Sequence, residues 1–239
     1  MCTLFSYNEK ETIMSKKLVD FHTHILPGLD HGSRSVDEMA EQISLFEKYG
    51  IEEVVCTSHF YGHLHKIDDF LSKREKSFSE LQQYLAQGNI KLRAHLGAEI
   101  LAFAGIENLE RLSELAIGNS KVLLIELPYA PLTNDIEMSI VKLMRKGYQI
   151  LLAHADRYDE IDIEKMISHG AKIQLNASAL NKFFVKKAYM RWIGDGVCVA
   201  IGSDIHGADE KAMKKFMKAS KKSAKYHDAF HQYADTVLK

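Results

Sequence analysis

The sequence predicts an α/β fold built on a parallel sheet or barrel, and three observations carry that prediction. Short apolar runs alternate with stretches of three-and-four periodicity, giving about seven βα units along 239 residues. Side chains able to bind metal stand at the ends of those runs, where a parallel barrel gathers its chemistry. The first run ends in His-Thr-His, whereas a doubly wound open sheet would usually present a glycine-rich phosphate turn there.

The first strand runs through Leu18, Val19 and Phe21, and His22 and His24 follow two apart, so both imidazoles point to one side. Pro27 and Gly28 end it, and the loop returns Asp30 and His31 as further candidate ligands. Residues 35–49 read as a helix: Val36, Met39, Ile43 and Phe46 form its apolar stripe, Ser35 and Glu38 make a capping box, and Gly50 stops it. A strand through Val54, Val55 and Cys56 ends at His59. Residues 67–87 carry a helical stripe of Phe70, Leu71, Phe78, Leu81 and Leu85, closed by Gly88. Residues 90–100 alternate as a strand that finishes at Glu99.

A helix over residues 107–115 leads into KVLLIELPY, a continuous apolar strand that ends at Glu126 before Pro128. A carboxylate placed there is costly to bury without a partner. A helix over residues 134–146 stops at Gly147, and the strand after it delivers His154 and Arg157 just past Leu151, Leu152 and Ala153. A short helix over residues 161–169, a strand reaching Asn176 and a helix over residues 180–193 follow. GVCVAIGSDIHG then presents Asp204 and His206 two apart, and residues 209–239 form one or two basic amphipathic helices.

The length suits one large core, expected as a single domain over residues 17–239 behind a loose extension over residues 1–16. Charged residues make up 26% of the chain with a net charge of -1, which leaves no broad attraction for nucleic acid or an anionic membrane. No apolar run approaches the roughly 20 residues of a membrane span. Cys2, Cys56 and Cys198 are few and odd in number, fitting a reducing cytoplasm without disulfides.

Any one strand-end histidine or glutamate is ordinarily a cap, a hydrogen-bond partner or a solvated group. Here His22, His24, His59, Glu99, Glu126, His154, Asp204 and His206 share that placement, coming from six strands. So many carboxylates and imidazoles suit two or three borderline divalent cations, such as manganese, iron or zinc, and not a thiolate site or an all-oxygen site. Hydrolysis is the chemistry such a cluster supports. Arg157 stands where its guanidinium can grip phosphate oxygens in a fork, with a surface ion pair as the plain alternative. A cysteine phosphatase would need an arginine six residues after its thiol, but Gly62 follows Cys56 and Asp204 follows Cys198 at that interval.

HxHILPGLDxG, TSH, GAEI, LIELP, AHADRY and SDIH, in this order from residue 20 to residue 206, resemble the PHP (polymerase and histidinol phosphatase) superfamily. Within it they are similar to the bacterial capsule and exopolysaccharide protein-tyrosine phosphatases. The resemblance implies a distorted (β/α)7 barrel with metals, manganese first among them, at the strands' carboxyl ends. It implies one ion held by His22, His24, Glu99 and Asp204, a second by Glu99, Glu126 and His154, and a third by His31, His59 and His206. Asp20 would orient a ligand histidine from behind, and Arg157 would contact phosphate.

Two positions depart from that branch. His31 stands in Asp30-His31-Gly32 where the branch reads DDG, exchanging a carboxylate for an imidazole. Lys211 stands near the place of a substrate-binding arginine, keeping a charge and losing the fork. The resemblance further implies a phosphotyrosine protein as substrate, namely an autophosphorylating tyrosine kinase of polysaccharide export. A small-molecule phosphatase of the histidinol phosphate type, a phosphodiesterase and a catalytically silent binding module are the alternatives.

Overall fold

The computed structural model describes residues 18–239, so the extension expected over residues 1–16 lies outside the described residues. Ten strands follow in chain order: β1 (Leu18–His24), β2 (Ile51–Cys56), β3 (His59–Phe60), β4 (Arg93–Leu96), β5 (Glu99–Leu101), β6 (Val122–Glu126), β7 (Gln149–Leu152), β8 (Lys172–Asn176), β9 (Cys198–Gly202) and β10 (Ile205–His206). Every ladder among them is parallel. They form a four-stranded sheet in the order β10-β1-β2-β4 and a six-stranded sheet in the order β3-β5-β6-β7-β8-β9. The helices are α1 (Val36–Tyr49), α2 (Ile67–Gln87), α3 (Asn134–Arg145), α4 (Glu160–Ser168), α5 (Ala177–Leu180), α6 (Lys187–Gly194), α7 (Glu210–Lys222) and α8 (His227–Val237).

The alternation of strands and helices is as expected, but the hydrogen-bonded ladder does not close into one barrel. Three stretches expected as single strands are each broken in two: β2 from β3, β4 from β5, and β9 from β10. At each break the backbone turns to a neighbouring strand. Thr57 N–H donates to Thr23 O (2.9 Å), Gly97 N–H to Cys56 O (3.0 Å) and Asp204 N–H to His22 O (2.8 Å). A chain that redirects its donors leaves one ladder and enters the other, and each break is followed at once by a candidate ligand.

Helix α1 forms where its stripe predicts, burying Met39, Ile43 and Phe46, and Ser35 Oγ accepts from Glu38 N–H (3.3 Å). The capping box is half made. Glu38 turns its carboxylate to Arg34, accepting from that backbone N–H (2.8 Å) and from the guanidinium. The helix expected over residues 107–115 is two 3₁₀ turns, Ile106–Asn108 and Leu112–Leu115, interrupted where Arg111 takes a left-handed φ of 56°. The helix expected over residues 180–193 is likewise two, α5 and α6, joined by residues 181–186.

Most of the core lies between the sheets and the helices that cover them, which is why β6 is buried along its whole length. A second cluster fills the space between the sheets with Phe21, Val55, Leu124, Leu151 and Ala200. Ala234 and Val237 of α8 belong to it together with Val122, at the start of β6 and the end away from Glu126. One end of the strands is thus sealed by apolar contact and the other carries the polar residues.

The approach of β9 to β1 depends on Gly202. A Cβ there would stand 2.4 Å from His22 Cβ and 2.6 Å from Gln174 Nε2, closer than packed atoms tolerate. Overpacking of this kind costs about 1–3 kcal/mol. Gly202→Ala is therefore expected to lower the midpoint of thermal unfolding by roughly 5 °C, read by circular dichroism. An unchanged midpoint would show that β1 and β9 have room to spare.

Candidate metal centre

Parallel strands bring their carboxyl ends to one side, and there the side chains of β1, β3, β5, β6, β7 and β9–β10 converge. His22 Nε2 lies 3.2 Å from His24 Nε2, 3.2 Å from Glu99 Oε2 and 3.5 Å from Asp204 Oδ1. His24 Nε2 lies 3.4 Å from the same two carboxylate oxygens. His59 Nδ1 is 2.9 Å from Glu99 Oε2, while His154 Nε2 is 2.6 Å from Glu99 Oε1 and 3.7 Å from Glu126 Oε1. His206 Nδ1 is 3.7 Å from Asp204 Oδ1. His31 is exposed, and its ring stacks on those of His59 (4.8 Å) and His206 (4.4 Å).

Three groups of these side chains could each surround a cation, with donor atoms within 4.8 Å of one another: His22, His24 and Glu99; His59, Glu99 and Glu126; and His24, His59 and His206. Glu99, His24 and His59 each belong to two of them. His154 and Asp204 both sit in left-handed backbone, at φ 32° and 56°, a conformation that a non-glycine residue holds only when its surroundings impose it.

The supports behind the cluster fix which ring nitrogens face it. Gln174 Oε1 lies 3.2 Å from His22 Nδ1 and also accepts from His154 N–H (2.6 Å), while Asp30 Oδ2 lies 2.8 Å from His24 Nδ1. Each acceptor calls for a proton on Nδ1, which leaves Nε2 of both rings turned to the cluster. Asp30 also accepts from His59 N–H (3.0 Å) and Gly32 N–H (2.9 Å), so one carboxylate holds the loop, the first strand and the third. That loop passes against β1 so closely that a Cβ on Gly32 would lie 2.2 Å from His24 O.

Asp20 is completely buried and accepts from Ser203 N–H (2.8 Å) and His22 N–H (3.2 Å). It steadies His22 through the backbone; the ring itself is held by Gln174. Arg157 pairs with Asp204 at the rim of the cluster, and Asn176 Nδ2 donates to the same Asp204 oxygen (3.1 Å). Lys211, in the first turn of α7, is exposed and its ammonium makes no hydrogen bond or ion pair to the cluster among the described residues. Gln174, Asn176 and Tyr158, whose hydroxyl is 3.2 Å from His154 Nδ1, were not picked out as site residues by the sequence reading. For Gln174 a signal existed, a polar side chain in the middle of the apolar run KIQLN.

The charges are strongly coupled. Burial works to raise the pKa of Glu99, but His22, His154 and His24 outweigh it and hold the carboxyl well below its usual range. Asp204 is held down against its burial by His22, His24 and Arg157. Glu126 has less company: burial, reinforced by Glu99, pushes it up to about 7. Burial would depress His24, yet its bonds to Asp204, Asp30 and Glu99 hold it well above the ordinary imidazole value, whereas burial and His24 push His206 down to about 4.

A histidine with a raised folded pKa lends stability that is complete below the unfolded value and fades as pH rises through the folded one. In metal-free protein, Asp30→Asn is therefore expected to cost roughly 2 kcal/mol at pH 6 and less at pH 9. Urea unfolding at the two pH values measures it, and an equal loss at both would remove Asp30 as the partner that keeps His24 protonated.

Residues 18–238 match the family described as Capsular polysaccharide synthesis, CpsB/CapC. The chain is 27% identical over 198 residues to the tyrosine-protein phosphatase YwqE of Bacillus subtilis, covering 79% of this chain and 77% of that protein. It is 22% identical over 208 residues to the tyrosine-protein phosphatase CpsB of Streptococcus pneumoniae, covering 81% and 85%. Among solved structures, one from the work on YwqE from B. subtilis and CpsB from S. pneumoniae, described as metal-dependent tyrosine phosphatases, superposes with a TM-score of 0.77 at 22% identity, covering 92% of this chain and 94% of that one. That superposition shows a shared fold. With a family match that runs through every strand and every candidate ligand, the chain belongs to the CpsB/CapC family of capsular polysaccharide synthesis.

Proposed function

We propose that this protein is a metal-dependent protein-tyrosine phosphatase whose substrate is an autophosphorylating tyrosine kinase of polysaccharide export. The observation that carries the reading is the buried cluster of imidazoles and carboxylates with a guanidinium at its rim. Family membership and the tyrosine-phosphatase names of the relatives support the substrate class. The reading takes residues 17–239 as one domain, a distorted (β/α)7 barrel in which β2 with β3, β4 with β5, and β9 with β10 count as single interrupted strands. Rejoining them leaves seven strands in an unbroken order, with Asp204 N–H bonded to His22 O where the last meets the first. A cytoplasmic location accords with Cys56 and Cys198, which are buried and free of disulfides.

The donor set fits divalent metal. Glu99 Oε2 and His59 Nδ1 are buried within ion-pair distance yet without an aligned hydrogen bond, and His206 Nε2 is buried with no hydrogen-bond partner among the described residues, a costly state that a cation would relieve. In this reading His22, His24, Glu99 and Asp204 hold one ion, Glu99, Glu126 and His154 a second, and His31, His59 and His206 a third, with manganese preferred over iron or zinc. When bound, such ions supply a nucleophile at neutral pH and neutralise charge on the attacked group.

The chain's own residues do the rest. Gln174 and Asp30 keep Nε2 of His22 and His24 free to coordinate, and Asp20 fixes the backbone between β1 and β9–β10. Arg157, turned from Asp204 toward the substrate, binds two phosphate oxygens in a fork, and Lys211 adds a second positive charge. Beside Arg157 opens a cleft of about 360 Å³ in which Pro128, Tyr129, Tyr158 and Ile161 offer surface for a phenyl ring and Asp159 and Asp162 add two carboxylates. Among the described residues a cysteine mechanism has no suitable thiol: burial pushes Cys198 up to about 12 and raises Cys56 further.

Metal analysis of the purified protein, followed by kinetics on a phosphotyrosine peptide, histidinol phosphate and a bis-phenyl phosphodiester, tests the proposal directly. The peptide is expected to be preferred, with activity lost on EDTA treatment and in the His22→Ala, His24→Ala double variant. A preference for the diester, or turnover that survives chelation, would overturn it. Arg157→Lys keeps the charge and loses the fork, so kcat/KM for the peptide should fall about a hundredfold while the bound-metal content, read by mass spectrometry, stays the same.

A further inference from the structure

Two aromatic side chains lie outside the core and outside the site. Phe183 and Phe184, in the loop between α5 and α6, are 92% and 83% exposed, and their rings meet edge-on at 4.7 Å. A soluble surface seldom leaves two adjacent phenylalanines in water without a use for them. The loop reads NKFFVKK, so Lys182, Lys186 and Lys187 flank the rings.

A lysine-rich helix stands beside this loop. Asn181 Nδ2 donates to Lys215 O of α7 (2.5 Å) and to Ala177 O of α5 (2.8 Å), pinning the base of the loop to that helix. Helix α7 buries Met213, Phe216 and Ala219, and at about 100° per residue Lys215, Lys218 and Lys222 fall together on the opposite side. Lys182, Lys187, Lys215, Lys218 and Lys222 are exposed and form no ion pair among the described residues. Acid does not offset them. Of the acidic residues between positions 177 and 225, Asp204 is in the cluster, Asp209 caps α7, Glu210 is held by Lys48 and Tyr49, and Asp195 ends α6. In a chain of net charge -1 this face is locally and strongly basic.

We infer that this face docks on an anionic lipid bilayer: Phe183 and Phe184 insert at the level of the headgroups, and the lysines of the loop and of α7 bind lipid phosphate and carboxylate. Apolar rings flanked by amines on long flexible stems match an interface that is greasy within and negative outside. A polyanion without an apolar layer would leave the two rings unused. The loop follows β8, whose last residue Asn176 donates to Asp204, so the docking face lies at the same end of the strands as the cluster. The inference concerns side chains outside the cluster and does not depend on the phosphatase reading.

Co-sedimentation of the full chain with phosphatidylcholine vesicles, with and without phosphatidylserine, tests it. Binding is expected with the anionic vesicles, weakening as salt rises. Lys218→Glu with Lys222→Glu should lower the partition coefficient at least thirtyfold, and Phe183→Ser with Phe184→Ser at least tenfold. Hydrolysis of soluble para-nitrophenyl phosphate reports on the cluster separately, and any turnover the parent shows should persist in both variants. Absence of binding to anionic vesicles at low salt would overturn the inference. So would binding that ignores the phenylalanine substitutions, or lysine-dependent capture of single-stranded DNA stronger than that of the vesicles.

Discussion

A carboxylate sealed from water must be given positive charge, and Glu99 is sealed completely. Its two oxygens meet imidazoles from β1, β3 and the end of β7, so the positions of several strands are tied to one side chain. The breaks in the strands serve the same contact. A straight β2 would carry His59 on along its own ladder; the turn at Thr57 and Ser58 places it opposite Glu99 in the other sheet. The same holds for Asp204, which leaves β9 in left-handed backbone and returns toward His22. The fold is a set of parallel strands bent, at some cost in regularity, to bring opposite charges together where each offsets the cost of burying its neighbours.

Much of this was legible in the residues. Apolar runs ending in His or Glu point to the strands and to the residues that converge, because strands such as β6 are buried along their length and their polar residues stand at the carboxyl end. What was not legible concerns the backbone. Nothing in IEEVVCTSHF announces that hydrogen bonding changes sheets between Cys56 and His59, since both pieces favour extended structure and the choice of ladder is made by β1, β4 and β5. The 3₁₀ turns near residues 106–115 escaped for a similar reason: their periodicity is helical, and Arg111 breaks it only in three dimensions.

The supports of the cluster were hidden more deeply than its members. Asp30 could be read as a ligand from its position in the loop; only the structure separates it from His31, turning one toward His24 as an acceptor and leaving the other at the surface. Gln174 stands out in KIQLN as a polar residue in an apolar run, but an amide there does not announce which groups it serves. Its place between His22 and His154 depends on the register of β7 and β8, a property of pairing and not of composition.

Asp204 joins two functions in one carboxylate. One oxygen faces His22 and His24, and the other receives Arg157 and Asn176. Any ligand that draws Arg157 away changes the electron density that Asp204 offers on its other side, and any cation that claims Asp204 loosens its hold on the arginine. By reciprocity, the retention of the ion and the grip on the anion are then a single heterotropic equilibrium. In the proposed reading, a change of substrate that moves Arg157 would therefore also alter how tightly Asp204 holds a cation.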